Sequence, residues 1–190
     1  RLMVSSGTAA QAGVGVAKKV NMLAHCFVRG MSQGVLPLIG YNYASGNRKR
    51  MKKVVGVAAA ISVAIACICT TVNIIFGREL VSFFIRTESE SLDYGTRFLQ
   101  LLCIGAPFSA FAYTVISFFQ ATGYGSRSLI LALLRKGILD IPLIFLLSSL
   151  IRTYGIVLAT PAADIICCGV SVVLFVIWIG KHGKNKMRQA

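Results

Sequence analysis

Acidic side chains are scarce in this chain: Asp and Glu together number 6 against 20 Lys and Arg, which leaves a formal charge of +14. The paired carboxylates of general acid–base catalysis are missing. So are a nucleophile beside a base, metal-spaced ligands and a phosphate-cradling glycine loop at a strand end. An enzyme is not expected, nor a cofactor or metal. His25 and His182 are isolated from other potential ligands. Cys26, Cys67, Cys69, Cys103, Cys167 and Cys168 lie within apolar segments without a CxxC pair, which reads as small buried thiols rather than a disulfide or metal framework. The basic excess is not interleaved with stacking aromatics, so nucleic acid is not an expected partner. Internal repeats and low-complexity tracts are also lacking. No initiating Met or signal peptide precedes Arg1, so the chain reads as part of a longer protein.

Apolar residues make up 56% of the sequence, above the roughly 45–50% typical of soluble domains. They fall in long runs instead of alternating, which argues for a membrane protein over a soluble core. The clearest run, residues 54–77, has no charged residue, and a helix of that length at ~1.5 Å per residue spans the ~30 Å hydrocarbon core. Five segments have the length to cross: 14–39, 54–77, 98–119, 128–151 and 156–180. The expected fold class is an all-α membrane protein, with residues 1–180 forming one transmembrane unit and 181–190 a basic tail.

The connections carry turn chemistry. Residues 40–53, GYNYASGNRKRMKK, are polar and basic, and 120–127, QATGYGSR, make a tight turn with two glycines. The long link at 78–97 is mixed in charge, and its stretch 80–85 is apolar enough to lie at the interface. Short loops rich in Lys and Arg stay on the cytoplasmic side. Arg48, Lys49, Arg50, Lys52, Lys53, Arg127, Lys181, Lys184, Lys186 and Arg188 share one side by alternation, against Arg78, Arg86, Arg97 and Arg152 on the other. The first loop and the tail are therefore expected in the cytoplasm, and the N-terminus of this piece outside.

Several residues do not belong in lipid. In 128–151 the Leu, Ile and Phe side chains gain roughly 5–9 kcal/mol on insertion, while Arg135, Lys136 and Asp140 cost about 2.5–3.5 kcal/mol each at the centre. The sums nearly cancel, so those charges must be paired, wet or near the interface. Lys136 and Asp140 stand i, i+4 beside Pro142, which allows a local ion pair at a kink or a carboxylate in a wet crevice that couples to an ion. Thr160-Pro161 resembles a helix start, placing Asp164 in the first turn as a cap or as a second ion-coupling group. Lys18, Asn21, His25, Arg29 and Ser32 recur at spacings of three and four and form a polar stripe. Such a stripe faces either a packed helix or a water-filled path, with Lys18 able to snorkel to the interface. Asn21, His25, Arg29 and Ser32 are the candidates to line a substrate path, and Asp140 and Asp164 the candidates for ion coupling. Pro37, Pro107 and Pro142 fall within apolar runs, where bent helices are tolerated if neighbours satisfy the freed carbonyls.

Residues 33–50, QGVLPLIGYNYASGNRKR, resemble the loop after the second helix of the C-terminal lobe in the multidrug and toxic compound extrusion (MATE) family, in particular its bacterial multidrug branch. Phe119-Gln120-Ala121-Thr122-Gly123 leading to Arg135 and Pro142, and Gly155 through Pro161-Ala162-Ala163-Asp164, agree in order and spacing. The resemblance implies a whole protein of twelve transmembrane helices in two six-helix lobes, of which this chain is most of the second. It implies alternating access and export of organic cations in exchange for protons or sodium ions. The implied partners are membrane lipid, a cationic small molecule and an N-terminal lobe outside this chain, in the plasma membrane of a bacterium. Gly34, Pro37, Gly40, Asn42, Gly46 and Asn47 are expected to serve gating or structure, the glycines for helix ends and close packing and the asparagines as turn caps. No acidic residue occupies 98–119, where some branches carry one, which leaves the coupling ion open. A lipid-linked oligosaccharide flippase of the same superfamily is the alternative, suggested by the basic Lys18, Arg29 and Arg135.

Overall fold

The computed structural model describes residues 8–85 and 89–187. The side chains of Arg86, Arg152 and the basic tail lie outside what is described. The described chain is helical: α1 Thr8–Ala44, α2 Arg48–Ile75, α3 Gly77–Ser82, α4 Ser89–Cys103, α5 Ala106–Ala121, α6 Gly125–Leu133, a π-helical turn Leu134–Ile138, and α7 Asp140–Met187. By length and composition α2 and the stretch Tyr154–Gly180 of α7 can each cross a membrane, and α4 with α5, bent by 44° at their break, passes the same test when taken as one span. The helix α1 is long enough as well, but it carries Lys18, Lys19 and Arg29 along its length.

The turn between α1 and α2 is local chemistry. Gly46 adopts φ +72°, which side-chain-bearing residues avoid, and so ends α1. Asn47 then caps α2, its side-chain oxygen accepting from the Arg50 amide at 3.1 Å. Asn42 is buried and donates to the Leu38 carbonyl at 2.7 Å, one turn back on its own helix. Gly34 has open space around it, and Gly40 only an ordinary contact with the Ala121 carbonyl; neither is a close-approach point.

The break between α4 and α5 follows from Pro107. Proline has no amide hydrogen, so it leaves the carbonyl four residues back, that of Cys103, without its helical donor. The Thr70 hydroxyl of α2 supplies one at 3.1 Å. A Cβ on Gly105, at the break, would lie 2.9 Å from the Pro161 Cα and 3.0 Å from Asp164 Oδ2, so only glycine lets this corner rest against α7. The crossing of α1 and α4 uses the same device, since a Cβ on Gly13 would lie 2.8 Å from the Gly95 amide nitrogen.

Although α7 is helical from end to end, it is not one rod. A straight helix would separate Asp140 and Thr160 by about 30 Å, yet Thr160 Oγ1 donates to Asp140 Oδ1 at 3.3 Å. Arg135 likewise reaches Asp164, Cys167 reaches the Leu131 carbonyl, and Gly155 lies against the Leu147 carbonyl. The chain therefore doubles back between residues 147 and 155, and two antiparallel arms run from there. One arm holds α6 and the π turn, and the other holds Pro161 and Asp164. Pro161 sits inside a helix and does not start one, so Asp164 is not a first-turn cap there.

At one end of the molecule Ile39, Met51, Phe118, Phe119 and Trp178 form a core, with Phe118 and Trp178 rings 4.8 Å apart edge to face. Arg48 and Arg127, from the two basic turns, lie over Trp178 and Tyr124 at that same end. A second core, Val14, Val81, Phe98, Leu99 and Val157, fills the other end. Between the two cores lies the polar part of the molecule.

Candidate functional site

A cleft of about 300 Å³ opens midway along α1 and is walled by Lys18, Asn21, His25, Arg29, Tyr113, Lys136, Asp140 and Thr160, with Met22 and Leu102. Three of the four stripe candidates line it, and Asp140 faces them. Ser32 does not: it is buried, and its hydroxyl has no partner. The stripe's 3.6-residue register carries it past the cleft and into packing with the core.

Asp164 lies below the cleft. Its Oδ1 accepts from Arg135 Nε at 2.6 Å, and both side chains are 2–3% exposed. Two lone charges there would be very costly, so each makes the other tolerable. The guanidinium also stacks over the Tyr113 ring, 4.3 Å from its centroid, while Arg29 donates to the Tyr113 hydroxyl at 2.9 Å. Asp164 Oδ2 faces His25 Nε2 at 3.9 Å. His25 in turn is held by the Asn21 carbonyl at Nδ1, 3.1 Å, and by Ser109 Oγ at Nε2, 3.2 Å. Asn21 continues the network through the Cys103 thiol to Asn73.

Lys136 and Asp140 make no ion pair within 4.0 Å. A π turn lies between them: the Leu139 amide bonds the Leu134 carbonyl five residues back, at 2.8 Å, and both side chains line the cleft without meeting. Pro142 explains why the register changes there, since it removes the helical donor to the Ile138 carbonyl, the last residue of the turn. Ser109 and Tyr113 are site residues that sequence reasoning missed. They stand i, i+4 as polar groups on the apolar α5, the same signal that marked the stripe on α1.

The architecture and this polar centre can be set beside known proteins. The family model MatE matches residues 2–146. The chain belongs to the MatE family. Among curated relatives, Multidrug export protein MepA of Staphylococcus haemolyticus is 28% identical over 165 residues, covering 87% of this chain and 36% of that protein. The MepA of Staphylococcus aureus strain MRSA252 is 26% identical over 161 residues, with 85% and 35% covered. The chain thus spans about a third of the length of these relatives.

Solved structures agree in fold. An outward-facing multidrug resistance MATE family transporter of the MOP superfamily superposes with a TM-score of 0.89 at 17% identity, over 96% of this chain and 41% of that one. The MATE transporter ClbM in complex with Rb+ gives 0.80 at 19%, over 88% and 39%. Two fifths of a two-lobe MATE transporter is most of one lobe, as the family resemblance implies. This MatE chain is a helical membrane protein of a transporter family.

Proposed function

We propose that this chain is the C-terminal lobe of a secondary active exporter of organic cations and drugs, working by alternating access in exchange for protons or sodium ions in a bacterial plasma membrane. The observation that carries the proposal is the cleft: polar and ionisable groups of α1, α5 and the α6–α7 hairpin converge at mid-helix, where a lipid-facing surface would have none. The relatives' names, multidrug export proteins, speak for drug export and lend the flippase alternative no support. Asn21, His25 and Arg29 are the proposed substrate-path residues, and Asp140 and Asp164 the proposed coupling carboxylates. The cleft presents more cations than anions, so a cationic substrate would find its counter-charge and aromatic contacts on the other lobe.

The test is export of a fluorescent organic cation from vesicles holding the whole transporter that contains this chain, under an imposed proton or sodium gradient. Export that depends on one gradient and falls when His25 or Asp140 is replaced supports the reading. Export that ignores both gradients overturns it.

A further inference from the structure

We infer that the cleft holds a proton-binding site whose titrating atom is Nε2 of His25, with the Ser109 hydroxyl as a rotor that changes acceptor when the proton arrives. The inference rests on the exporter reading for its purpose, but its chemistry stands on the hydrogen-bond inventory alone.

Nδ1 of His25 lies 3.1 Å from the Asn21 carbonyl, which can only accept. Nδ1 therefore carries a hydrogen in every state that keeps this bond, and the variable proton is the one on Nε2. Two groups face Nε2: Ser109 Oγ at 3.2 Å and Asp164 Oδ2 at 3.9 Å. The Ser109 hydroxyl has one hydrogen and two acceptors in reach, Nε2 itself and the Ala106 carbonyl at 2.9 Å. Two complete arrangements follow. With His25 neutral, Ser109 donates to the bare Nε2. When a proton from water in the cleft binds Nε2, the hydroxyl swings to the Ala106 carbonyl, and the new N–H donates to Ser109 Oγ with Asp164 Oδ2 as the facing charge. Both states pair Nε2 of His25 and the Ser109 hydroxyl.

The surrounding charges divide the roles. Asp164 is already engaged by Arg135 through Oδ1, so its part in coupling is to turn Oδ2 toward the imidazole as a counter-charge. Arg29 and Lys18 on α1, Lys136 on the π turn, and Asp140 on α7 line the cleft around His25, with Tyr113 of α5 bonded to Arg29. The Cys103 thiol of α4 hydrogen-bonds Asn21 and Asn73, and among the described residues no ionisable group of α2 lines the cleft. His25 is 14% exposed and lines the cleft, whereas Asp164 is 3% exposed and does not, so the imidazole is the group that water can reach. The site joins α1, α5 and both arms of the hairpin. A proton on His25 adds an attraction between α1 and the arm bearing Asp164, and its loss removes it.

The experiment is 15N NMR of the imidazole nitrogens in the full chain in lipid nanodiscs, with His182→Gln removing the other histidine. At alkaline pH Nδ1 is expected to be the protonated nitrogen and Nε2 the bare one, and on acidification only Nε2 changes. Asp164→Asn is expected to weaken proton binding at His25 about tenfold or more, because it removes the facing charge and leaves Arg135 unopposed. Ser109→Ala deletes one atom and should strengthen it several-fold, because the neutral Nε2 loses its donor while the charged form keeps Asp164. An alkaline form with Nδ1 bare, a His25 that does not titrate, or a midpoint unmoved by both variants overturns the proposal. If Asp164→Asn does not fold, the wild-type tautomer and Ser109→Ala decide it. Export and titration are read separately, so failure of one does not counterfeit failure of the other.

Discussion

Arg135 and Asp164 are 29 residues apart in sequence and form the most buried ion pair among the described residues. Removing one partner of such a pair leaves an uncompensated charge and costs roughly 3–5 kcal/mol, whereas replacing both with apolar groups can be close to neutral. Arg135→Met is therefore expected to destabilise the chain by about that amount in a reversible unfolding titration in mixed micelles, and Arg135→Met with Asp164→Leu to recover most of it. Equal losses in the single and double variants would show that the pair contributes little. Each charge was visible in the sequence as too costly for lipid, but the pairing was not, because no local spacing links them. The spacing that was visible, Lys136 to Asp140, brings both groups to the cleft but not into an ion pair. Gly105 was hidden for the same reason: its importance lies in the approach of Pro161, which only the folded hairpin creates.

Helices, by contrast, were largely legible. Long apolar runs and loops of glycine and basic residues mark α2, the α1–α2 turn and the α5–α6 turn, since each depends on nearest neighbours alone. The run at 98–119 was expected as one span, and the structure bends it at Gly105 because Pro107 frees a carbonyl that Thr70 then satisfies. Thr70→Val keeps the shape and removes the donor, so it is expected to cost about 1–3 kcal/mol; amide exchange at α5 should quicken with it. At the α1–α4 crossing, Gly95→Ala would place a Cβ 2.8 Å from Val81 Cγ1 and 3.5 Å from the Gly13 Cα. Overpacking of this kind costs typically 1–3 kcal/mol. A lowered unfolding midpoint for Gly95→Ala, beside an unchanged one for Gly34→Ala, is the expected result.

For the molecule as a whole, the two basic turns lie at one end with the Trp178 cluster, and the charge rule predicts Ser45 in the cytoplasm and Ser89 outside. Single cysteines at these positions, in a cysteine-free background, should be labelled by an impermeant reagent only from those respective sides; the reverse pattern would invert the topology. The folded-back α7 also bears on how the protein is made. The segment 128–151 barely balances its charges when it stands alone, whereas the arm that follows brings the carboxylate that neutralises Arg135. The two arms should therefore partition from the translocon as one unit, and the first should wait for the second. A nascent chain cut at residue 155 is expected to leave 128–151 incompletely inserted in a glycosylation-reporter assay. Extension to residue 180 should complete insertion, and Asp164→Ala in the extended chain should undo part of that gain.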